Sequence, residues 1–376
     1  MPGRRLSFTA GWLKLGFMLV LPLVSTGATA CPLCYEAARQ MMTEGVQLDM
    51  ADRAVLAARD AGTGLVRIVA VVKGPDALGE VISQPVTGAG EAGSAAAEPS
   101  LLIHDATAPQ WTSLGAIPLE YADWLRRIAA TRDVGGDRPR RTWPLTTATA
   151  DTLSYAGWRQ RVALVAPYLE TANPLAARLA WGELSRAPYV ALDSARSRVD
   201  PASVDAWLDD PKLAPRRAAY LTLLGFVGGP EDGAKLDRRI ETALASHDAT
   251  DLAAMLAADL ALGGPSRVDW IETRIFADRK RTMPEIEAAL LALNVLGDAN
   301  GAAVPRTRIV AAYRDFIKLR PPMAGFVAPQ LADWGCWDAM ADYAAIVKSD
   351  AVMDPASEFA IRNYLKRAAE AGVAAQ

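Results

Sequence analysis

Tyr220-Leu221-Thr222-Leu223-Leu224-Gly225-Phe226-Val227-Gly228-Gly229 and Leu256-Ala257-Ala258-Asp259-Leu260-Ala261-Leu262-Gly263-Gly264 are two renderings of one phrase. The phrase returns as Ala289-Leu290-Leu291-Ala292-Leu293-Asn294-Val295-Leu296-Gly297-Asp298 and as Pro329-Gln330-Leu331-Ala332-Asp333-Trp334-Gly335. Its glycines at 228, 263, 297 and 335 are separated by 35, 34 and 38 residues. A period in that range is the mark of stacked helical pairs. In each unit an Ala- and Leu-rich helix is expected to end at the glycine, which closes a helix in the left-handed conformation without a side-chain clash. A second, amphipathic helix then returns, with Leu236, Ile240 and Leu244, or Ile309, Tyr313 and Phe316, or Met340, Tyr343 and Val347 on one stripe. A lone pair cannot bury such a stripe; stacked neighbours can.

The texture ahead of residue 152 is different. Short runs bounded by Gly and Pro read as strands: Ala54 to Ala58, Leu65 to Val72, Val81 and Ile82, and Leu101 to Ile103. Gly88 to Ala97 reads as a loop. A short helix is expected after Pro118, where Tyr121, Trp124, Leu125 and Ile128 share a face. Residues 131–151, with Gly135-Gly136, Pro139 and Pro144, read as a linker.

The first 30 residues follow the order of a secretory signal: Arg4, Arg5 and Lys14, then the apolar run Leu15 to Val24, then Ala28-Thr29-Ala30. That run is shorter than the roughly 20 residues a bilayer-spanning helix needs. Cleavage between Ala30 and Cys31 is expected, giving a periplasmic or secreted protein; a lipid anchor at Cys31 is the alternative. Cleavage removes three positive charges and takes the formal charge from −3 to −6. A mildly acidic chain lacks the clustered positive surface that phosphates require, so no nucleic-acid partner is expected. The basic run Arg138-Pro139-Arg140-Arg141 falls in the linker, where a solvated role accounts for it.

Three cysteines rule out a disulfide scaffold, and two histidines rule out a multi-histidine metal site. Cys31-Pro32-Leu33-Cys34 is the constellation that asks for chemistry. Proline at a first helical position would place both thiols near a helix N-terminus, which favours thiolate. Three uses stay open: a structural or redox disulfide, a soft-metal site for Cu(I) or Zn(II), and lipid attachment at Cys31. Met41 and Met42 could add thioether ligands to Cu(I), although methionines at that spacing more often fill cores. Covalent haem is excluded because Tyr35 stands where His is needed. No phosphate-binding loop, zinc-protease helix or nucleophile elbow is present, so no catalytic residue is assigned and no cofactor is required. Asp209-Asp210 and Glu231-Asp232 sit beside prolines at repeat turns, where a capping or solvated role is expected. Trp158, Trp181, Trp207, Trp270, Trp334 and Trp337 read as core fillers or as a recognition patch, and Cys336 as a buried small hydrophobe.

The Cys-Pro-x-Cys start, Ala51-Asp52-Arg53-Ala54-Val55-Leu56-Ala57 and Val69-Ala70-Val71-Val72-Lys73-Gly74 together resemble the opening of netrin-like, tissue-inhibitor-of-metalloproteinase-like domains. The resemblance implies a small β-barrel of OB type and, at Cys31, chelation of a protease zinc through amine and carbonyl; it carries over to Cys31, Asp52 and Lys73-Gly74. The cysteines here are spaced by two residues where that family has one. The whole chain is also similar to an uncharacterised family of exported bacterial proteins that join such a module to HEAT-like repeats. Arg216-Arg217-Ala218-Ala219-Tyr220-Leu221, Leu224-Gly225 and Leu331-Ala332-Asp333-Trp334 carry that likeness.

The expected molecule is therefore α+β and multidomain: a signal at 1–30, a netrin/OB-like barrel at 31–130, a linker at 131–151, and an α-solenoid of HEAT-like pairs at 152–376. Its expected role is a non-enzymatic interaction or scaffold protein with a protein partner in the cell envelope. The alternatives are a thiol-based redox, Cu(I) or Zn-binding protein at Cys31 and Cys34, and a metalloprotease inhibitor.

Overall fold

A computed structural model describes residues 42–88, 98–107, 110–138, 153–301, 303–349 and 354–372. The chain is mixed α and β, with a five-stranded sheet near its front and helices through the rest. Ala30, Cys31, Cys34, Met41, the loop expected up to Ala97 beyond residue 88, and residues 139–151 of the linker lie outside the described residues.

Helix α1 (Glu44–Met50) opens the described chain, with the Thr43 hydroxyl accepting from the N–H of Val46 at 3.3 Å. Capping of this kind satisfies a donor that has no partner inside the helix. Strands β1 (Arg53–Arg59) and β2 (Val66–Lys73) follow as an antiparallel pair. Asp60 accepts from the N–H groups of Gly62 and Thr63 to shape their turn. Strands β3 (Val86–Gly88), β4 (Ser100–His104) and β5 (Trp111–Ala116) complete the order β2-β1-β4-β5-β3, with β3 parallel to β5 and every other pairing antiparallel.

The segment ahead of β3 works on both margins of this sheet. Its first part bonds to β2, through Ile68 N–H to Glu80 and Ile82 N–H to Val66. Its last part pairs with β5. Val81 and Ile82, expected as a strand, therefore contribute only a single bridge to Arg67 before the chain swings across.

Both faces of the sheet are buried. Val55, Ala57, Val66, Ile68, Ile82, Leu102 and Trp111 pack together in one cluster. Ala54, Leu56, Ala70, Leu101 and Leu114 join the main core, which continues without a break into the helices. Helix α2 (Ala122–Ala130) lies against β2 and buries Trp124, Leu125 and Ile128, the face expected of it.

The helices then run as α3 (Tyr155–Val165), α4 (Pro174–Arg186), α5 (Pro201–Asp209), α6 (Arg217–Val227), α7 (Pro230–Ser246), α8 (Leu252–Gly263), α9 (Pro265–Ile271), α10 (Met283–Ala299), α11 (Arg306–Leu319), α12 (Ala328–Asp333), α13 (Met340–Lys348) and α14 (Pro355–Glu370). Helices α6, α8 and α10 pack in sequence order, and α12 packs on α14. Helix α8 is buried on nearly every side, as an all-apolar helix must be. The approach of α6 to α8 depends on Gly225: a Cβ there would lie 2.9 Å from the Cα of Ala258. The returning helices bury two of the expected stripes, with Leu236, Ile240, Leu244, Ile309, Tyr313 and Phe316 all but inaccessible; of the third, Met340 and Tyr343 are buried and Val347 is half-buried.

One expectation about the helix ends is corrected. Gly335 is left-handed at φ +66°, but Gly228 is extended at φ −71°, Gly263 is the last residue of α8, and Gly297 lies inside α10. The left-handed positions fall instead on Gly264, and on His247 and Asn300 after α7 and α10. Gly297 serves packing: a Cβ there would strike the Trp334 ring at 2.3 Å.

Candidate interaction surface

Three places in the described molecule gather charged groups, and each does different work. The first is a buried ionic knot where α1 meets the helices. Arg161 on α3 is fully buried and donates from every N–H it has: Nε to the Thr131 hydroxyl at 2.7 Å, Nη1 to Asp49 at 2.7 Å and Glu183 at 2.8 Å, Nη2 to Asp49 at 2.9 Å and the Ile128 carbonyl at 3.0 Å. Five donors meeting five acceptors is the condition under which a buried guanidinium is tolerated. Arg186 adds contacts to Glu183 at 3.3 Å and Asp49 at 3.5 Å, so two cations face two carboxylates. Burial alone would pull the Arg161 pKa down, but Glu183 and Asp49 outweigh it and hold it above the usual arginine value.

The knot fixes α1 against α4 at close range. A Cβ on Gly45 would fall 1.9 Å from the Glu183 carboxylate, and one on Gly182 would press the Thr43 side chain at 3.1 Å. From the sheet side, Lys73 Nζ donates to the carbonyls of Leu48, Asp49 and Ala51 at the C-terminus of α1. Burial lowers the pKa of that ammonium. Lys73-Gly74 and Asp52, the residues singled out by resemblance, thus belong to the framework: Gly74 is left-handed at φ +106°, and Asp52 accepts from or pairs with His104 at 2.8 Å. Most of these groups are tied up in structure.

The second feature is a ladder of ion pairs between successive returning helices. Lys235 on α7 pairs with Asp205 on α5, and Arg239 with Asp209 at 2.7 Å. Arg267 on α9 reaches Asp237 on α7 at 2.5 Å, and Arg274 reaches Glu241 at 3.0 Å. Arg308 on α11 holds Asp269 and Glu272. The sequence separations are 30, 30, 30, 33, 39 and 36. The carboxylates expected as caps divide between tasks: Asp210 accepts from Lys212 N–H and Asp232 from Gly229 N–H, while Asp209 serves the ladder.

Tryptophans mark the same joints. Trp158 is buried, but Trp181, Trp207, Trp270, Trp334 and Trp337 are only half-buried. Arg216 lies 5.4 Å over Trp181, Arg267 4.9 Å over Trp270, and Arg306 5.2 Å over Trp334. Trp207 packs on Tyr220, Trp334 stacks on Tyr313, and Trp337 packs on Tyr364. Cys336 is half-buried, and burial pushes its thiol pKa up.

The third feature is a groove of about 510 Å³ along α7, lined by Lys235, Arg238, Arg239, Thr242 and Ser246 of that helix together with Arg217, Asp248 and Asp251. Leu221, Ala243 and Met255 line it as well. Sequence reading missed this groove, because its residues come from three helices; the basic spacing of 235, 238 and 239 on one helix was the available signal.

Cys31, Cys34 and the signal junction lie outside the described residues, so the geometry bears on none of the thiol, metal or lipid readings. Among the described residues, no group of three or more His, Cys, Asp or Glu is placed to hold a metal, and no helix is long and apolar enough to cross a membrane. Compared with family models, with curated proteins and with solved structures, the chain matches none.

Proposed function

We propose that this is an exported interaction protein, in which an OB-type, netrin-like barrel carries the Cys31–Cys34 segment and an α-solenoid of HEAT-like pairs supplies the binding surface for a protein partner in the cell envelope. The barrel reading is supported by the strand order and by the segment 80–88, which is bonded to β2 at one end and to β5 at the other. For the solenoid, the supporting features are the consecutive packing of α6, α8 and α10 and the inter-helix ion pairs at separations of 30 to 39 residues.

That recurrence of ion pairs one repeat length apart is the observation that carries the function. A repeat that each unit extends by the same contacts yields surface in proportion to its length, and surface is what a binding protein needs. The buried cluster around Arg161 is consumed by structure, whereas the cations along α7 stay at the surface, where a partner can reach them. The test is affinity capture from envelope extract with the mature protein as bait. A partner enriched reproducibly over an unrelated acidic bait is the expected result; background proteins alone would remove the reading.

A further inference from the structure

We infer that the groove along α7 takes an extended, acidic peptide segment of the partner, with carboxylates on alternate residues; this deepens the interaction reading and rests on it. Three properties of the groove lead there. Its cations sit around the middle of α7: Lys235, Arg238 and Arg239. The step from Lys235 to Arg239 along a helix is about 6 Å. Alternate side chains of an extended chain lie about 6.7 Å apart on one face. Two carboxylates spaced in that way meet two cations without bending either partner.

These cations are available. Arg238 is exposed and makes no ion pair among the described residues. Lys235 and Arg239 lean on Asp205 and Asp209 through exposed pairs, and Lys235 also touches Asp232 at 3.2 Å. Exposed pairs of this type are worth little net free energy, so an incoming carboxylate can share or replace them.

The opposite half of the groove selects a peptide over a denser anion. Thr242 donates to the Arg238 carbonyl at 2.8 Å and Ser246 to the Thr242 carbonyl at 3.0 Å; both side chains are exposed, and their oxygens keep acceptor capacity for peptide N–H groups. Asp248 and Asp251 stand at that end, with Arg217 held by Asp251 at 3.3 Å. Polyphosphate or a nucleic-acid backbone running the length of the groove would meet those two carboxylates and the negative end of the α7 dipole. Leu221, Ala243 and Met255 give the peptide's methylenes an apolar floor.

The experiment measures binding of the labelled pentapeptide Glu-Ala-Glu-Ala-Glu to the full mature protein, with Lys-Ala-Lys-Ala-Lys, inorganic pyrophosphate and a single-stranded oligonucleotide as competitors. Arg238→Glu reverses an exposed, unpaired charge, so its melting temperature should match the wild type. Its affinity for the acidic peptide should fall about tenfold, as expected for reversing one charge facing a carboxylate, with the remainder weakening as salt rises. Equal binding by Arg238→Glu, or stronger competition by pyrophosphate or the oligonucleotide than by unlabelled peptide, would overturn the assignment. Partner capture that persists undiminished in Arg238→Glu also overturns it, while leaving the interaction reading standing. Peptide binding lost in Arg238→Glu, with no partner captured by the wild type, supports the groove and removes the wider reading.

Discussion

The junction between sheet and helices and the contacts between successive helices solve the same problem by opposite means. At the junction, Arg161, Arg186, Asp49 and Glu183 are buried together, and every Arg161 donor has an acceptor. Between the returning helices, pairs such as Arg239–Asp209 and Arg274–Glu241 are exposed, others such as Arg308–Glu272 are only partly so, and apolar stripes beneath them do the holding. A buried charge cluster admits one geometry and punishes any other. Exposed pairs tolerate small errors, which suits a joint that is repeated. The contrast teaches that the molecule spends its costliest interactions on the contact that occurs once.

That contrast can be broken most easily at Arg161. Replacing it with Ala leaves Asp49 and Glu183 buried without their cation, and should cost about 3–5 kcal/mol, read as a shift in the denaturant midpoint. A loss below about 1 kcal/mol would mean the knot is not holding the two regions together.

A smaller effect is expected at Asp354, which caps α14 by accepting from the N–H groups of Ala356 and Ser357, each at 3.0 Å. Asp354→Ala should cost about 1 kcal/mol at pH 7. The hydrogen bonds from Ser357 hold this carboxyl's pKa below the ordinary value of 3.8. Its contribution is therefore complete above the unfolded pKa and is lost as pH falls through the lowered, folded one. The gap between wild type and variant, followed by thermal melts, should stay constant from pH 7 to about 5 and close at lower pH. A gap unchanged at pH 2 would contradict the assignment.

The smallest effect belongs to the ladder. Arg274 and Glu241 are both about half exposed, so Arg274→Ala should change stability by roughly 0.5 kcal/mol or less, and less still in high salt. If it cost as much as Arg161→Ala, the distinction between the two kinds of joint would collapse.

The helical half was the more legible part of the sequence because its apolar residues recur with the helix period. Leu236, Ile240 and Leu244, and Ile309, Tyr313 and Phe316, could be placed on buried stripes before any coordinates. Strands β1, β2 and β4 were visible as Val- and Ile-rich runs. Strand β5 was not, since Trp111-Thr112-Ser113-Leu114-Gly115-Ala116 carries little β-branched sequence and is made a strand by pairing with β4. Helix α1 escaped notice for a related reason: it is short, contains Gly45, and is held by Lys73 and Arg161 from elsewhere in the chain. The knot itself left no trace in spacing, because Arg161 and Asp49 are 112 residues apart. Glycines at the repeat ends suggested a common closure, but the period marked packing as much as termination, as Gly297 under Trp334 makes plain.

The swing of residues 80–88 from β2 to β5 bears on how the protein behaves in a crowd. Open sheet margins invite a foreign chain to zip on, and long flat ones seed aggregates. Here a single stretch of backbone already occupies part of each margin, which shortens the template that either edge offers a neighbouring chain.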